Sequence, residues 1–196
     1  EQHCTAHGRP SIFACGVALV DGGGGHPDRL YEKATEFVKL GYRAAVFRDA
    51  DLIPDTQIEA AFHQTAGATF TWHAGQSLEA AIVGNTGDAT LLILLDYAIA
   101  EHGQDMIAAH VQSASANQET IDNLRAILHS PQHVISPAQR DVIVTACTTK
   151  KNPWFKTVGR MEHVARNVLA PNFGNVSEDF QNRVNALLAW AQTPHG

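Results

Sequence analysis

The sequence has few cysteines, few charged residues and no long apolar run, and each scarcity excludes a class of protein. Three scattered cysteines in 196 residues are too few for a disulfide scaffold and indicate reduced thiols in an intracellular, cytoplasmic protein. A charged fraction of 17% and a hydrophobic fraction of 44% exclude a disordered chain. Asp96 and Glu101 interrupt the apolar run at residues 91–95 well before the roughly 20 residues that cross a bilayer, so we expect no membrane partner.

Two common phosphate-binding motifs are also missing. The apolar residues 16–20 lead into Asp21 and a run of four glycines, but neither a dinucleotide fingerprint with its ribose acid nor a Walker loop follows. Successive glycines allow positive φ angles and leave the main chain bare. We therefore expect Asp21, Gly22, Gly23 and Gly24 to form a backbone wall that phosphate or metal can approach, and a flexible connection is the alternative.

Two carboxylates follow the apolar residues 43–47, a short run of partly β-branched and aromatic residues that predicts a buried strand. The carboxyl end of such a strand is where an open α/β sheet binds its ligands. Because side chains alternate along an extended chain, Asp49 and Asp51 are expected to point to the same side. Their hard oxygens suit Mg²⁺ or Mn²⁺. A solvated turn is the alternative interpretation.

Apolar, strand-like runs alternate with helical patterns in the first part of the chain, and helical patterns follow alone. The predicted strands are residues 16–20, 43–47 and 68–72, with helices at 27–40 and 54–65. This order predicts an α/β domain over residues 1–86, with a mainly parallel sheet flanked by helices. Glu79 lies just inside a helix expected to begin near Ser77. An α-helical extension is predicted over residues 87–196, with helices at 88–102, 117–128, 137–148, 159–169 and 177–191.

Charge is distributed unevenly along the chain. Residues 1–139 have 7 Lys/Arg against 16 Asp/Glu, whereas residues 140–170 have 6 against 2. Within the basic stretch, residues 150–156 place lysines beside Trp154 and Phe155, a combination compatible with binding to a nucleic acid backbone and stacking on bases. The alternative is a surface loop whose aromatics fill the helical core while its lysines are solvated.

The ordered set of these segments resembles the C-terminal Toprim region of the overcoming-lysogenization-defect (OLD) family of nucleases. The resemblance is carried by residues 16–24, 40–51, 75–79 and 154–156 and covers most of the chain. It implies a Toprim-like fold and metal-dependent cleavage of DNA by an endonuclease or nickase. It also implies an N-terminal ATP-binding cassette domain in the intact protein, through which a homo-oligomer could form.

The same resemblance implies roles for individual residues in a two-metal mechanism. Asp49 and Asp51 would ligate Mg²⁺ or Mn²⁺, and Glu79 would be a further ligand or would orient a metal-bound water. Lys156 would stabilise charge on the scissile phosphate. DNA contacts are expected from Lys150, Lys151 and Arg160.

One feature of the family is missing from the sequence. The family's first strand ends in a Glu-Gly motif, and this dipeptide occurs nowhere in the chain. We expect that strand and its glutamate to precede Glu1, so that the two-metal site requires this upstream residue. Without it, a non-catalytic module for DNA binding or dimerisation within a larger ATPase is the alternative function.

Two further chemistries are weaker alternatives. A haloacid dehalogenase phosphohydrolase would use an Asp-x-Asp motif, but Ile53 stands where that motif has threonine. The pairs His3/His7 and His129/His133 have a spacing that could bind zinc on a helix. Neither pair includes the glutamate of a peptidase motif, so most of the histidines are expected to be ordinary surface residues.

Overall fold

The computed structural model describes Cys4 and residues 8–193, in which helices predominate and two short strands form a sheet. None of the helices in these residues combines the length and apolarity needed to cross a membrane. In chain order the elements are α1 (Asp28–Lys39), β1 (Ala45–Arg48), α2 (Thr56–Gln64), β2 (Ala68–Thr71), α3 (Leu78–Asn85), α4 (Asp88–His102), α5 (Gln104–Ala114), α6 (Ile121–His129), α7 (Pro137–Cys147), α8 (Val158–His163), a π-helix (Val164–Leu169), a 3₁₀ turn (Phe173–Asn175) and α9 (Glu178–Gln192).

These elements form two compact units. The first contains the described residues up to Ser77 together with those from Asn182 onward, and the second contains Leu78–Gln181. The chain passes from the second unit back into the first within α9. The domains inferred from the sequence, residues 1–86 and 87–196, stay a prediction, because compactness alone does not define a domain.

The sheet in the first unit consists of β1 and β2, which pair in parallel. Ala45 lies opposite Ala68, and Arg48 lies opposite Thr71. Since α2 connects the two strands, the chain follows the strand, helix, strand order that the sequence predicts. The mixed α/β class and the parallel orientation of this pair are confirmed. The finer Toprim-like arrangement stays a prediction.

The strand predicted at residues 16–20 is wrong. Residues 12–16 form a turn in which the Gly16 amide donates to the Phe13 carbonyl, and residues 17–23 have no regular structure. Leu19 and Val20 are 70% and 53% exposed. An apolar run becomes a strand only when another strand pairs with it, and within residues 8–193 no strand pairs with this run.

The core of the first unit forms where α1 and α2 meet β1. It contains Tyr31, Ala34, Val46 and Phe62, and the Tyr31 and Phe62 rings are 5.5 Å apart in a tilted arrangement. Gly67 lies directly against the Phe62 ring, because a Cβ atom at this position would be only 2.3 Å from it. The absent side chain therefore lets α2 connect to β2 over the aromatic core.

The second unit is helical, and most of its helices coincide with the predicted ones. The predicted helix at residues 88–102 is confirmed with both of its ends, and the predicted helix at 137–148 is confirmed as α7. No helix is predicted from the sequence between residues 102 and 117, where the structure has α5. With a φ of +84°, Gly103 ends α4 and begins α5 without a loop. Fully buried side chains from several helices form the core: Leu91, Leu94, Leu95, Ile107, Leu124 and Ile143.

Candidate functional site

The turn that carries the two predicted metal ligands lies at the carboxyl edge of the parallel strands. Asp49 and Asp51 follow β1 directly, and both are exposed. Between them, the Ala50 amide donates to the Gln76 carbonyl at 2.9 Å, and the Gly75 amide donates to the Ala50 carbonyl at 2.8 Å. These reciprocal bonds join the connections that follow β1 and β2, so the acidic turn (residues 49–52) has a fixed place at the edge of the sheet where ligands bind in α/β folds.

The extended backbone that was expected to orient the two carboxylates is not present after β1. The chain bends at residues 50–52 and does not continue β1 as an extended segment. Strand alternation therefore does not orient Asp49 and Asp51, and the reason given for their pointing to one side is wrong. The path of the acidic turn depends on the hydrogen bonds that its main chain makes.

Arg48 makes two of these hydrogen bonds. It is the last residue of β1, and its side chain is only 10% exposed. Its Nη1 atom donates to the carbonyl oxygens of Asp49 at 2.8 Å and of Leu52 at 3.1 Å. One guanidinium therefore holds both ends of the acidic turn.

The other side of the same guanidinium is bonded to two helices. Arg48 Nε donates to the Tyr31 hydroxyl of α1 at 3.0 Å, and Nη2 lies 3.6 Å from Glu59 Oε1 of α2. The Tyr31 hydroxyl donates to the same Glu59 oxygen at 2.5 Å. Burial, together with this hydrogen bond, raises the pKa of Tyr31. Sequence reasoning missed this triad, and its only local signal was an arginine at the end of an apolar run.

The glycine run before α1 has structural reasons for its composition. Gly23 and the two glycines after it have φ angles between +68° and +91°, which residues with a side chain rarely adopt. The Asp21 carboxylate accepts a hydrogen bond from the Gly23 amide at 2.9 Å and shapes the turn. A Cβ atom on Gly22 would lie 2.0 Å from a Leu30 methyl group. The role of Asp21, Gly22, Gly23 and Gly24 as a wall for phosphate stays a prediction.

Glu79 belongs to the second unit, in the first turn of α3, as the sequence predicts for a helix beginning near Ser77. It is buried, with 8% of its surface exposed. Burial of Cys147, reinforced by the negative charge of Glu79, raises the pKa of the thiol well above its usual range. Cys147 is therefore a protonated core residue, and Glu79 is a buried acid whose charge acts on the thiol.

The basic segment (residues 150–156) also lies in the second unit. Its three lysines, Lys150, Lys151 and Lys156, are exposed, whereas Trp154 and Phe155 are 1% and 0% exposed. The two aromatic side chains are therefore core anchors and are not available to stack on bases. Within the described residues, no ion pair involves any of these lysines.

The remaining predicted DNA contact, Arg160, is paired with an acid. Its Nε atom donates to Glu101 Oε2 at 3.0 Å, and both side chains are partly exposed. A phosphate group would compete with this carboxylate for the guanidinium. The electrostatic contribution of Arg160 to DNA binding is therefore expected to be smaller than that of a solvated lysine.

The donors that could hold a divalent metal are few. Across Cys4 and residues 8–193 there is no cluster of three His, Cys, Asp or Glu side chains with metal-binding geometry. Mg²⁺ does not require one, because it is commonly bound by one or two carboxylates together with waters and substrate phosphates. Asp49 and Asp51 fit that requirement as exposed oxygen donors on one short turn.

The two histidine pairs have different outcomes. His3 and His7 lie outside the described residues. His129 Nδ1 bonds the Arg125 carbonyl at 2.8 Å, and His133 Nδ1 bonds the Ser130 hydroxyl at 2.8 Å. In the second pair, one ring nitrogen of each histidine is therefore hydrogen-bonded to a residue three or four positions away in the chain.

Comparison with known proteins gives no relative from which a role could be transferred. A scan against models of protein families finds no match. Searches of the curated proteins and of the solved structures find no significant match to the chain.

Proposed function

We propose that the chain is the nuclease domain of an OLD-type protein, a metal-dependent endonuclease or nickase that hydrolyses DNA phosphodiesters. The observation that carries the proposal is the position of Asp49 and Asp51. Both lie exposed at the carboxyl edge of two parallel strands, on a turn that main-chain and arginine hydrogen bonds hold in place. In α/β folds this edge is the usual place for ligands.

In the proposed mechanism Asp49 and Asp51 would hold Mg²⁺ or Mn²⁺ through their carboxylate oxygens. The bound metal would supply Lewis-acid stabilisation of the phosphate and an activated water. Following the family resemblance, we assign Glu79 to metal ligation or to the orientation of water. We assign Lys156 to stabilisation of the charge on the phosphate. A second metal would require the glutamate of the family's Glu-Gly motif as a further ligand.

The proposed partners are DNA and an N-terminal ATP-binding cassette domain, with oligomerisation through that domain. Lys150 and Lys151 support DNA as a partner, because solvated lysines neutralise backbone phosphates and release counterions. A Toprim-like fold and a cytoplasmic location are parts of the same proposal.

A non-catalytic DNA-binding module is the second candidate function. It is favoured by the basic segment, in which the buried Trp154 and Phe155 hold the three exposed lysines on a fixed loop. Such a surface binds DNA without any need for the acidic turn. Removal of a carboxylate from the acidic turn should therefore abolish cleavage by a nuclease and leave DNA binding by a non-catalytic module unchanged.

The test is nicking of supercoiled DNA with Mg²⁺ or Mn²⁺ by the protein and by Asp49→Asn and Asp51→Asn variants. Each substitution removes one charge and keeps the side-chain volume, so each is expected to abolish nicking and to leave the circular dichroism spectrum unchanged. Asp105→Asn, at an exposed acid in the first turn of α5, is the matched control and should nick normally. Nicking by Asp49→Asn at the wild-type rate would contradict the nuclease and favour the binding module.

A further inference from the structure

Arg48 connects the acidic turn to the interior of the first unit. It donates to the carbonyl oxygens of Asp49 and Leu52, which are the first and last residues of the turn. Asp51 lies between these two residues. Its other partners, Tyr31 and Glu59, come from two different helices. Because the Tyr31 side chain is fully buried, the orientation of the guanidinium is set by the core and not by solvent.

We infer that Arg48 is a positioning residue for metal binding: it fixes the main-chain path on which Asp49 and Asp51 present their carboxylates. This role rests on the proposed function. The bonds go to main-chain carbonyls, so Arg48 acts on the shape of the turn and does not touch the metal. Groups that orient metal ligands typically change metal affinity by 10-fold to 100-fold when they are removed.

Lysine cannot replace Arg48 in this role. The guanidinium is a rigid planar fork with five N–H donors, which here reach two carbonyls, one hydroxyl and one carboxylate. A lysine ammonium is a single point charge on a flexible stem and cannot bond the same partners in a fixed geometry. Arg48→Lys therefore keeps the charge and removes the positioning.

Arg43 provides a matched control in the same unit. It lies two residues before β1, at the opposite end of the strand from the acidic turn. Its guanidinium also donates to two main-chain carbonyls, those of Trp190 and Thr193, and it lies 4.3 Å from the centre of the Trp190 ring. Arg43→Lys removes a comparable arginine clamp that makes no bond to the turn.

The experiment compares Arg48→Lys, Arg43→Lys and Asp49→Asn by two readouts that do not depend on cleavage. Mn²⁺ affinity is measured by electron paramagnetic resonance, and amide hydrogen exchange of residues 50–53 is measured without metal. Arg48→Lys is expected to raise the Mn²⁺ Kd by about 10-fold or more and to speed exchange in the turn. Arg43→Lys should keep the Kd within about twofold and leave this exchange unchanged.

Each alternative result has a distinct meaning. Wild-type Mn²⁺ affinity in Arg48→Lys, with loss of affinity in Asp49→Asn, would overturn the role of Arg48 and leave the proposed function standing. Equal weakening by both arginine variants would also overturn that role, since the effect would then be general destabilisation. Full Mn²⁺ binding by Asp49→Asn would overturn the proposed function together with the inference. Should Arg48→Lys not fold, Tyr31→Phe removes one partner of the guanidinium and must weaken Mn²⁺ binding in the same direction.

Discussion

The indole Nε1 atom of Trp154 donates a hydrogen bond to Nδ1 of His110 at a distance of 3.1 Å. This bond requires Nδ1 to be unprotonated, so His110 must be neutral. The Trp154 carbonyl is bonded by His102 Nε2 at 2.9 Å, so two histidines hold the same residue. The anchor of the basic segment thus depends on the neutral state of His110.

The stability of the protein is expected to fall on mild acidification. Burial, with a contribution from the nearby His102, lowers the pKa of His110 from its ordinary value of about 6.5. The unfolded chain therefore binds a proton at a higher pH than the folded chain does. This contribution to stability is complete above about pH 6.5 and is lost as the pH falls through the lowered pKa.

Thermal unfolding between pH 7.5 and pH 5 measures this dependence. His110→Asn keeps an acceptor for the Trp154 indole without a titrating group, so its melting temperature should decline less over this range. His129→Asn, at an exposed histidine, is the control and should follow the wild-type profile. Identical profiles for His110→Asn and the wild type would contradict the assignment.

Trp154 is expected to contribute more to stability than any exposed residue near it. Its side chain is 1% exposed, and truncation of a buried tryptophan to alanine typically costs about 3–5 kcal/mol of unfolding free energy. Val158→Ala, four residues later at an 84% exposed side chain, should stay within about 0.5 kcal/mol of the wild type. Urea unfolding followed by circular dichroism compares the two. A small loss for Trp154→Ala would mean that the segment is not anchored by this side chain.

Lys156 is expected to act on the rate of cleavage if the proposed function holds. Loss of one preorganised charge typically costs on the order of 10²-fold or more in rate. Single-turnover cleavage at saturating DNA measures the effect of Lys156→Ala. Lys39→Ala removes an exposed lysine that pairs with Glu36 at 2.7 Å in α1, and it should cleave normally. An unchanged rate with weaker, salt-sensitive DNA binding would limit Lys156 to backbone contact.

Sequence reasoning was most complete for the helices, because helix formation depends mainly on neighbouring residues. The helices α4 and α7 were predicted from apolar residues at helical spacing and from the residues that begin and end each helix. The strands β1 and β2 were predicted from short apolar runs. The run at residues 16–20 has the same local character and still forms no strand. Strand formation depends on a pairing partner, and no pattern within the run itself reports one.

The candidate site divides in the same way. Asp49 and Asp51 could be found because an acidic pair after an apolar run is a local pattern. Arg48 could not, because its role depends on Tyr31 and Glu59, which are 17 positions before it and 11 after it in the chain. The bend at residues 50–52 was missed because it depends on main-chain bonds to residues 75 and 76, beyond the next strand.

The contact between Gly67 and the Phe62 ring also limits how this sequence can vary. A methyl group at position 67 would occupy space that the ring already fills, so a larger residue at 67 requires the side chain at 62 to move or to become smaller. In homologous chains with alanine or a larger residue at 67, a smaller side chain is expected at 62. We therefore expect positions 62 and 67 to covary in the sequences of homologous chains, because α2 and β2 approach each other closely there.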